Sequence, residues 1–361
     1  MISKDQIPKI KGQAPIDWQN VRRVLVVRLR SIGDTVLSTP SLIALKRFIP
    51  NAEIDILLED WVAPLLDGFE GVNVVRVGEG NAAKLKAANY LRGRKYDVAI
   101  NLHGGTTSSF FIRATGAKYR IGLSHYRYKR FYNRLYSSSA DFWHSDILHS
   151  AEQQLAVLGF AGIPVDDRPK SLLTVTKAAI ERIEHRLADS ALRTPRSEFA
   201  LVHPAAAFAT KQWSTANFAR TIEFLNEKGF QAVAVAAKHE AGVLDELKRE
   251  SEVPIITFDD LTLPEITALA SKASVFVGND SGIAHIAAAV GTPTVVVFGS
   301  SNRNHWRPWT DAPNEIVFES FPCQPCPGRI CAEFGEPKCI LSVTPSAVFT
   351  ALERILASSK I

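Results

Sequence analysis

The chain has 361 residues, of which 46% are hydrophobic and 22% are charged, and its formal net charge is +5 at pH 7. This length suits two domains, and the hydrophobic content is sufficient for sizeable cores. Since no stretch of about 18 uninterrupted apolar residues occurs and the polar segment 1–15 lacks the apolar core of a signal peptide, we expect a cytoplasmic protein.

The first predicted strand covers residues 21–29 and ends at a tight turn, 30–35. The helix that follows opens at Thr39 and Pro40, since proline is tolerated in the first turn of a helix. Asp34 lies in the turn, at the carboxyl end of the strand, where open α/β sheets bind ligands. A helix cap is the structural alternative for this carboxylate. We favour a functional role because Thr39 is better placed to cap the helix.

Strands and helices alternate along the rest of the chain, which predicts parallel sheets with helices on both faces, an α/β fold. The further predicted strands are 53–58, 72–77, 96–102, 199–203, 231–237, 255–258, 275–277 and 294–298. A polar, charged stretch, 188–198, separates the two sets of strands and is predicted to be a linker. We therefore expect domains over 1–194 and 195–344, and a terminal segment, 345–361, whose helix packs back on the first domain.

Residues 78–83 follow a predicted strand and fit the G-x-G-x-x-A fingerprint of dinucleotide-binding folds. An NAD-dependent oxidoreductase is therefore the alternative function. Two features argue against it. The strand is the third rather than the first, and Asp97 begins its strand instead of closing one at the required distance. We expect a surface loop at this position.

Arginine and lysine residues alternate with aromatic residues between positions 118 and 134. Such a segment is able to bind nucleic acid, to contact anionic lipid headgroups, or to hold a phosphorylated or carboxylated acceptor with arginine forks. A solvated surface with ordinary aromatic anchors is the structural alternative. Nucleic acid ranks last, because no nucleic-acid-binding motif accompanies the segment.

Two candidate ligand-binding residues follow strands early in the second half of the chain. Lys211 comes after the strand 199–203, just before Trp213; a lone lysine is usually a solvated surface charge. Glu240 comes after the strand 231–237, where a carboxylate is able to hold ribose hydroxyls. A glutamate in a first helical turn also stabilises the helix dipole, so the two roles of Glu240 stay open.

A strand, a tight turn, a helix and a second strand follow one another within residues 275–298. Asp280, Ser281 and Gly282 surround the start of the helix, where free N–H groups and the helix dipole favour phosphate. His285 lies one turn further and is expected to face the same site. Asp280 repels phosphate or simply caps the helix, but a sugar hydroxyl beside the phosphate explains it better. The pattern suggests a sugar diphosphate ligand.

All four cysteines lie in one short segment, at Cys323, Cys326, Cys331 and Cys339. Four thiolates match the ligand count of zinc or an iron–sulfur cluster, but the spacing is not that of a standard knuckle pair. In the cytosol such thiols are also able to stay reduced. A structural metal, disulfide pairing and reduced thiols remain open, and we expect no catalytic role.

The string D-S-G-x-x-H-x-A-A-A-x-G-T-P from Asp280, followed by F-G and W-R-P-W, resembles the donor-site signature of glycosyltransferase family 9. These are the lipopolysaccharide heptosyltransferases, including the branch that adds the third heptose. The Gly33-Asp34 turn, the spacing of Lys211 and Trp213, and the F-Y-N-R string ending at Arg134 resemble the same family. Small hydroxyl residues often precede the family's lysine, whereas this chain has alanines.

The resemblance implies a GT-B fold, with two Rossmann-like doubly wound parallel-sheet domains facing a central cleft. It also implies inverting glycosyl transfer that needs no cofactor and no catalytic metal. The implied donor is ADP-heptose, although another nucleotide sugar is open. The implied acceptor is the anionic lipopolysaccharide core, reached by a protein peripheral to the cytoplasmic face of the inner membrane, with no nucleic acid involved.

The resemblance also assigns roles to individual residues. Asp34 is expected to be the general base. The acceptor is expected to contact Gly33, Arg127, Arg130 and Arg134. The donor is expected to contact Lys211, Glu240, Asp280, Ser281, Gly282 and His285.

Overall fold

The computed structural model describes residues 15–190, 198–326 and 328–358. The chain divides into two compact units, Met1–Thr174 and Val175–Ile361. Each unit is built on one six-stranded sheet in which every pair of neighbouring strands is parallel. The predicted α/β organisation is therefore confirmed. The predicted boundary at Thr194 lies outside the described residues, and the division into units falls earlier in the chain.

The first unit has the strand order β3-β2-β1-β4-β5-β6. Its strands are β1 (Arg23–Leu29), β2 (Glu53–Glu59), β3 (Asn73–Val77), β4 (Val98–Asn101), β5 (Tyr119–Leu123) and β6 (Arg134–Tyr136). Its helices are α1 (Ile32–Val36), α2 (Thr39–Phe48), α3 (Gly80–Gly93), α4 (Thr106–Thr115), α5 (Ser139–Trp143) and α6 (Ser150–Phe160). β1 pairs with β2 from Arg23 opposite Glu53 and with β4 from Val24 opposite Val98.

The second unit has the order β12-β11-β10-β7-β8-β9. Its strands are β7 (Phe199–His203), β8 (Gln231–Val235), β9 (Ile255–Phe258), β10 (Val275–Asn279), β11 (Thr294–Phe298) and β12 (Asn314–Phe318). Its helices are α7 (Lys177–Ala188), α8 (Thr215–Glu227), α9 (Ala241–Glu250), α10 (Leu263–Lys272), α11 (Gly282–Ala289), α12 (Arg303–Trp306), α13 (Lys338–Leu341) and α14 (Pro345–Ser358).

Inner strands of both sheets are almost entirely apolar and buried. Residues 24–27 of β1 and 294–298 of β11 have no more than about one per cent of their surface exposed. Such uninterrupted apolar runs are typical of parallel strands that helices cover on both faces. The core of the second unit contains Trp213 and Phe218, whose rings meet edge to face at 5.0 Å.

Two predictions about the helices need correction. The terminal helix α14 packs on the second unit, against α8, β11 and β12, with Leu352 and Ile355 buried in that core. Its apolar face is therefore used in the unit to which it belongs, rather than on the first domain. Thr39 does not cap α2, because its hydroxyl donates to the Val36 carbonyl at 2.7 Å and accepts from the Leu172 N–H at 3.0 Å.

Each sheet reverses its strand order at one point, between β1 and β4 in the first unit and between β7 and β10 in the second. In open α/β sheets, ligands bind outside the carboxyl ends of the strands at this switch point. The fingerprint-like segment 78–83 follows β3, which is an edge strand, and its Gly80 begins α3 instead of lying in a loop. The topology therefore places this segment away from the expected dinucleotide position.

Candidate active site

At the switch point of the first unit, Asp34 lies in α1, directly after β1. Arg28, near the end of β1, is buried among apolar neighbours and makes an ion pair with Asp34 through Nη2 and Oδ1. Its other terminal nitrogen, Nη1, donates to the Leu102 carbonyl at 2.6 Å, at the end of β4. The guanidinium thus spans the carboxyl ends of the two strands that flank the switch point.

The Asp34 carboxylate is held on both sides and is still accessible. Its Oδ2 accepts a hydrogen bond of 3.0 Å from the Ser31 hydroxyl. The Asp34 side chain is 25% exposed, whereas that of Arg28 is 9% exposed. Burial lowers the pKa of Arg28, and the Asp34 charge opposes that shift. A carboxylate with fixed orientation and solvent access has the geometry required of a general base.

A cavity of about 470 Å³ lies beside this pair in the first unit. It is lined by His103, Gly104, Gly105, Thr106, His125, Tyr126 and Arg127. His103 lies close enough to Arg28 and Asp34 for its ring to sense both charges, and its pKa is lowered mainly by burial and also by Arg28. Burial also raises the pKa of Tyr126. Both rings are therefore neutral at physiological pH.

The shape of this cavity depends on a glycine. Gly104 has a φ of 77°, and a Cβ at this position would come within 2.8 Å of the Tyr126 ring. The backbone therefore passes directly against the ring, which only glycine permits. Asn101, at the end of β4, fixes the same turn, because its Oδ1 accepts the N–H groups of His103 and Gly104 at 2.9 and 3.0 Å.

In the second unit, an ion pair occupies the corresponding switch point. Lys211 ends the short 3₁₀ turn Ala209–Lys211 after β7, and its Nζ lies 2.8 Å from Oδ2 of Asp280, directly after β10. The Lys211 side chain is 23% exposed and that of Asp280 is 5% exposed. Asp280 therefore holds the lysine in place and does not cap α11.

Asn279 fixes the loop that carries Lys211. This fully buried side chain accepts the Trp213 N–H on Oδ1 at 3.0 Å and donates from Nδ2 to the Pro204 carbonyl at 2.8 Å. Ser300 adds a backbone hydrogen bond of 3.1 Å to the carbonyl of Thr210. The loop is consequently attached to the ends of both β10 and β11.

The start of α11 lies beside this ion pair. Ser281 precedes Gly282 as the capping residue but makes no side-chain capping bond, and its buried hydroxyl has no hydrogen-bond partner among the described residues. His285, one turn later, is 5% exposed. Free N–H groups at a helix start, next to a lysine, are suited to an anionic ligand.

Glu240 ends the short 3₁₀ turn Lys238–Glu240 after β8. Its Oε2 accepts the Ala237 N–H at 3.1 Å. His203, which ends β7, is buried and bonds to the Val235 carbonyl at 2.9 Å. Burial lowers the pKa of His203, and the Glu240 charge opposes that shift. Glu240 therefore faces the carboxyl ends of β7 and β8.

A family model described as glycosyltransferase family 9 (heptosyltransferase) matches residues 84–335. The chain belongs to this family. It is 29% and 30% identical to two proteins named lipopolysaccharide heptosyltransferase 3, from Escherichia coli and from its strain K12. The two alignments cover 92% and 91% of this chain and 98% and 96% of those relatives.

A solved structure supports the same fold. The E. coli ADP-heptose lipopolysaccharide heptosyltransferase II superimposes with a TM-score of 0.79 at 20% identity, covering 94% of this chain and all of that one. The predicted two-domain α/β fold of the GT-B type is thereby confirmed.

Only some of the residues that the family resemblance assigns to the acceptor lie beside Asp34. Gly33 lies next to Asp34 in α1, and Arg127 lines the cavity beside it. Arg130 packs over the Phe131 ring at 5.5 Å, and Arg134 lies 5.2 Å from the centre of the Tyr119 ring. Neither of these two arginines is among the cavity-lining residues.

Sequence patterns did not identify Arg28, His103 or Asn279. One signal was present for Arg28, because a charged residue within an apolar, buried strand requires a partner. Asn279 directly precedes Asp280, which was predicted to be a site residue, but the two hydrogen bonds of Asn279 join segments that are distant in sequence. No local pattern contains that information.

The four cysteines are free thiols in the structure. Burial raises the pKa of Cys339, and the nearby thiols of Cys323 and Cys331 contribute to the shift. Within residues 15–190, 198–326 and 328–358, no group of three or more His, Cys, Asp or Glu side chains is placed to hold a metal ion. In the same part of the chain, no helix is both long enough and apolar enough to cross a membrane.

Proposed function

We propose that this protein transfers a heptose from ADP-heptose to the inner core of lipopolysaccharide, with inversion at the anomeric carbon. The observation that carries the proposal is the 29–30% identity, over more than nine-tenths of the chain, to two heptosyltransferases named for lipopolysaccharide. ADP-heptose as donor is supported by the name of the structural neighbour, whose superposition covers 94% of this chain.

The second unit binds the donor. Lys211 and the N–H groups at the start of α11 hold the diphosphate, and the buried Asp280 orients Lys211 and a sugar hydroxyl. Glu240 holds the ribose hydroxyls, as a carboxylate at this point of a dinucleotide-type sheet is able to do. His285, one turn into α11, contributes to the same diphosphate site. These donors stabilise the charge that develops on the leaving group.

The first unit supplies the base. Asp34 takes the proton of the acceptor hydroxyl, whose oxygen attacks the anomeric carbon of the heptose. The bond from that carbon to the diphosphate oxygen breaks, and ADP leaves with the electron pair. The attack comes from the face opposite the leaving group, which inverts the configuration. Arg127 and the cavity beside Asp34 hold the acceptor core.

The acceptor is part of a glycolipid, so the protein works at the cytoplasmic surface of the inner membrane as a peripheral protein. The segment 126–134 supports this placement, because Tyr128 and Arg130 are exposed beside further basic residues. Each cation near an anionic surface contributes about 1 kcal/mol to attachment.

Flotation of the wild-type protein and of the Arg130→Glu variant with vesicles that contain anionic lipids tests the placement. Equal binding by both proteins argues against a membrane contact through this segment.

Mass spectrometry of the lipopolysaccharide core tests the function. Cells that lack this protein are expected to make a core that is short by one heptose, and the gene for the intact protein is expected to restore it. The gene for the Asp34→Asn variant is the control, because a folded but inactive protein is not expected to restore the missing heptose. An unchanged core refutes the proposal. The loss of a different sugar would show that the protein transfers that sugar instead of a heptose.

A further inference from the structure

We propose that Arg28 is a positioning residue that fixes the carboxylate of Asp34 for proton transfer. The inference rests on the proposed role of Asp34 as the general base. Arg28 lies in β1, six residues earlier in the chain, and its side chain is 9% exposed. It therefore contacts the base from inside the protein and leaves the exposed side of the carboxylate to the acceptor.

The guanidinium is anchored at a second point, so it cannot turn away from Asp34 without losing a buried hydrogen bond. Nη1 donates to the Leu102 carbonyl at 2.6 Å. That carbonyl is itself fixed, because the Leu102 N–H donates to the Val27 carbonyl at 3.0 Å in the pairing of β1 with β4. A planar fork serves two acceptors in fixed directions, which a lysine ammonium on a flexible stem does not.

A purely structural role does not explain the charge at this position. The pKa of Arg28 is lowered by burial, and its Nε is buried with no partner among the described residues. Buried ion pairs are often replaceable by apolar side chains without loss of stability. The neighbouring residues of β1 are apolar, so an apolar residue would fit the strand. The buried charge of Arg28 is explained instead by its contact with Asp34, whose carboxylate it holds in place.

The carboxylate has two protein donors in different directions. Arg28 bonds to Oδ1, and the Ser31 hydroxyl bonds to Oδ2 at 3.0 Å. Together they restrict the carboxylate to one orientation while a quarter of the side chain stays accessible. A base must be held close to its productive geometry, because small displacements cost large factors in rate. Arg28 keeps its own proton throughout, and the acceptor proton ends on Asp34.

A double-mutant cycle with Arg28→Ala and Asp34→Asn tests the inference. Initial rates are measured with ADP-heptose and with lipopolysaccharide from cells lacking this protein. We expect Arg28→Ala to lower kcat about tenfold to a hundredfold, the range of one charge-assisted hydrogen bond, with little change in KM for the donor or in ADP affinity. In the Asp34→Asn background the same change is expected to alter kcat by less than about threefold, because coupled residues are not additive.

Two further variants separate positioning from general loss of structure. Arg28→Lys keeps the charge and is expected to have a kcat between those of wild type and Arg28→Ala. Arg23→Ala removes an arginine that pairs with Glu53 at the opposite end of β1, and is expected to leave kcat unchanged. Thermal unfolding and ADP binding verify that each variant is folded.

The outcomes distinguish the two proposals. Full turnover by Asp34→Asn overturns the assignment of the base and, with it, the role of Arg28. If Asp34→Asn is inactive but Arg28→Ala has normal turnover, or lowers kcat equally in both backgrounds, only the positioning role is overturned. If Arg28→Ala does not fold, Arg28→Lys decides: wild-type kcat contradicts the inference.

Discussion

The switch points of the two sheets carry the same kind of feature with opposite exposure. In the first unit the cation is buried and the carboxylate is accessible, with exposed fractions of 9% for Arg28 and 25% for Asp34. In the second unit the carboxylate is buried and the cation is accessible, at 5% for Asp280 and 23% for Lys211. The strand order is the same in both sheets, but the first pair comes from β1 and the helix after it, whereas the second comes from the segments that follow two neighbouring strands, β7 and β10.

Under the proposed function, this contrast distinguishes the member of each pair that meets a ligand from the member that holds it. The buried member gives up solvation to hold its partner, and the accessible member is the one that a substrate reaches. An accessible carboxylate suits the removal of a proton, and an accessible ammonium suits a diphosphate. Under the proposed function, the switch point of the sheet thus carries a base in one unit and an anion site in the other.

The largest effect is expected at the accessible carboxylate. Asp34→Asn should lower kcat by about 10²- to 10⁴-fold, since it removes the proposed general base, while ADP affinity stays nearly unchanged because the proposed donor site is in the second unit. Steady-state rates together with titration calorimetry of ADP measure both quantities. Asp167→Asn, an exposed carboxylate in an ion pair with Arg47, is the matched control and should behave as wild type. A large loss of ADP binding by Asp34→Asn would place Asp34 in the donor site.

The next effect is expected at the accessible cation. Lys211→Ala should weaken ADP binding by about tenfold to a hundredfold, the range of a charge-assisted contact, and should slow transfer further as charge builds on the leaving group. Calorimetry of ADP binding measures the first quantity. Lys238→Ala, which removes an exposed lysine after β8, is the control and should bind ADP normally.

The same assay tests whether protein donors carry the diphosphate charge. We expect EDTA to leave transfer by the wild-type protein unchanged. If the chelator abolished transfer by a folded sample, a metal ion would be neutralising the diphosphate, and the role assigned to Lys211 would be wrong.

A smaller effect, which distinguishes the two switch points, is expected when either of two buried asparagines that end equivalent strands is replaced. Asn101 ends β4, Asn279 ends β10, and both are fully buried. Replacing either by alanine leaves backbone groups unpaired, at up to about 1–3 kcal/mol for each group that is fully buried. Both variants should therefore unfold at lower temperature by calorimetry. Asn279→Ala alone should also weaken ADP binding, because its hydrogen bonds fix the loop of Lys211. Equal ADP affinity in the two variants would contradict that role.

The sequence predicted those parts of the fold and site that depend on local pattern. Apolar runs followed by turns located β1 and β10, and with them Asp34 and Asp280. What it did not predict depends on contacts between distant segments. The partnership of Lys211 with Asp280, the two loops fixed by Asn101 and Asn279, and the docking of α14 on the second unit each join separate parts of the chain. Arg28 was visible as a charge in an apolar strand, but its partner was not.

The indole of Trp213, two residues after Lys211, connects the loop that carries Lys211 to a segment that is distant in sequence. Its Nε1 donates to the Val343 carbonyl at 2.9 Å, just before α14, and its ring is fully buried. The backbone beside Lys211 is therefore already ordered before a nucleotide arrives, so the entropy lost on binding is confined to the lysine side chain and the ligand. The same indole is one of six in the chain, and in a variant that keeps only this tryptophan its emission should stay blue-shifted and nearly constant as ADP saturates the protein.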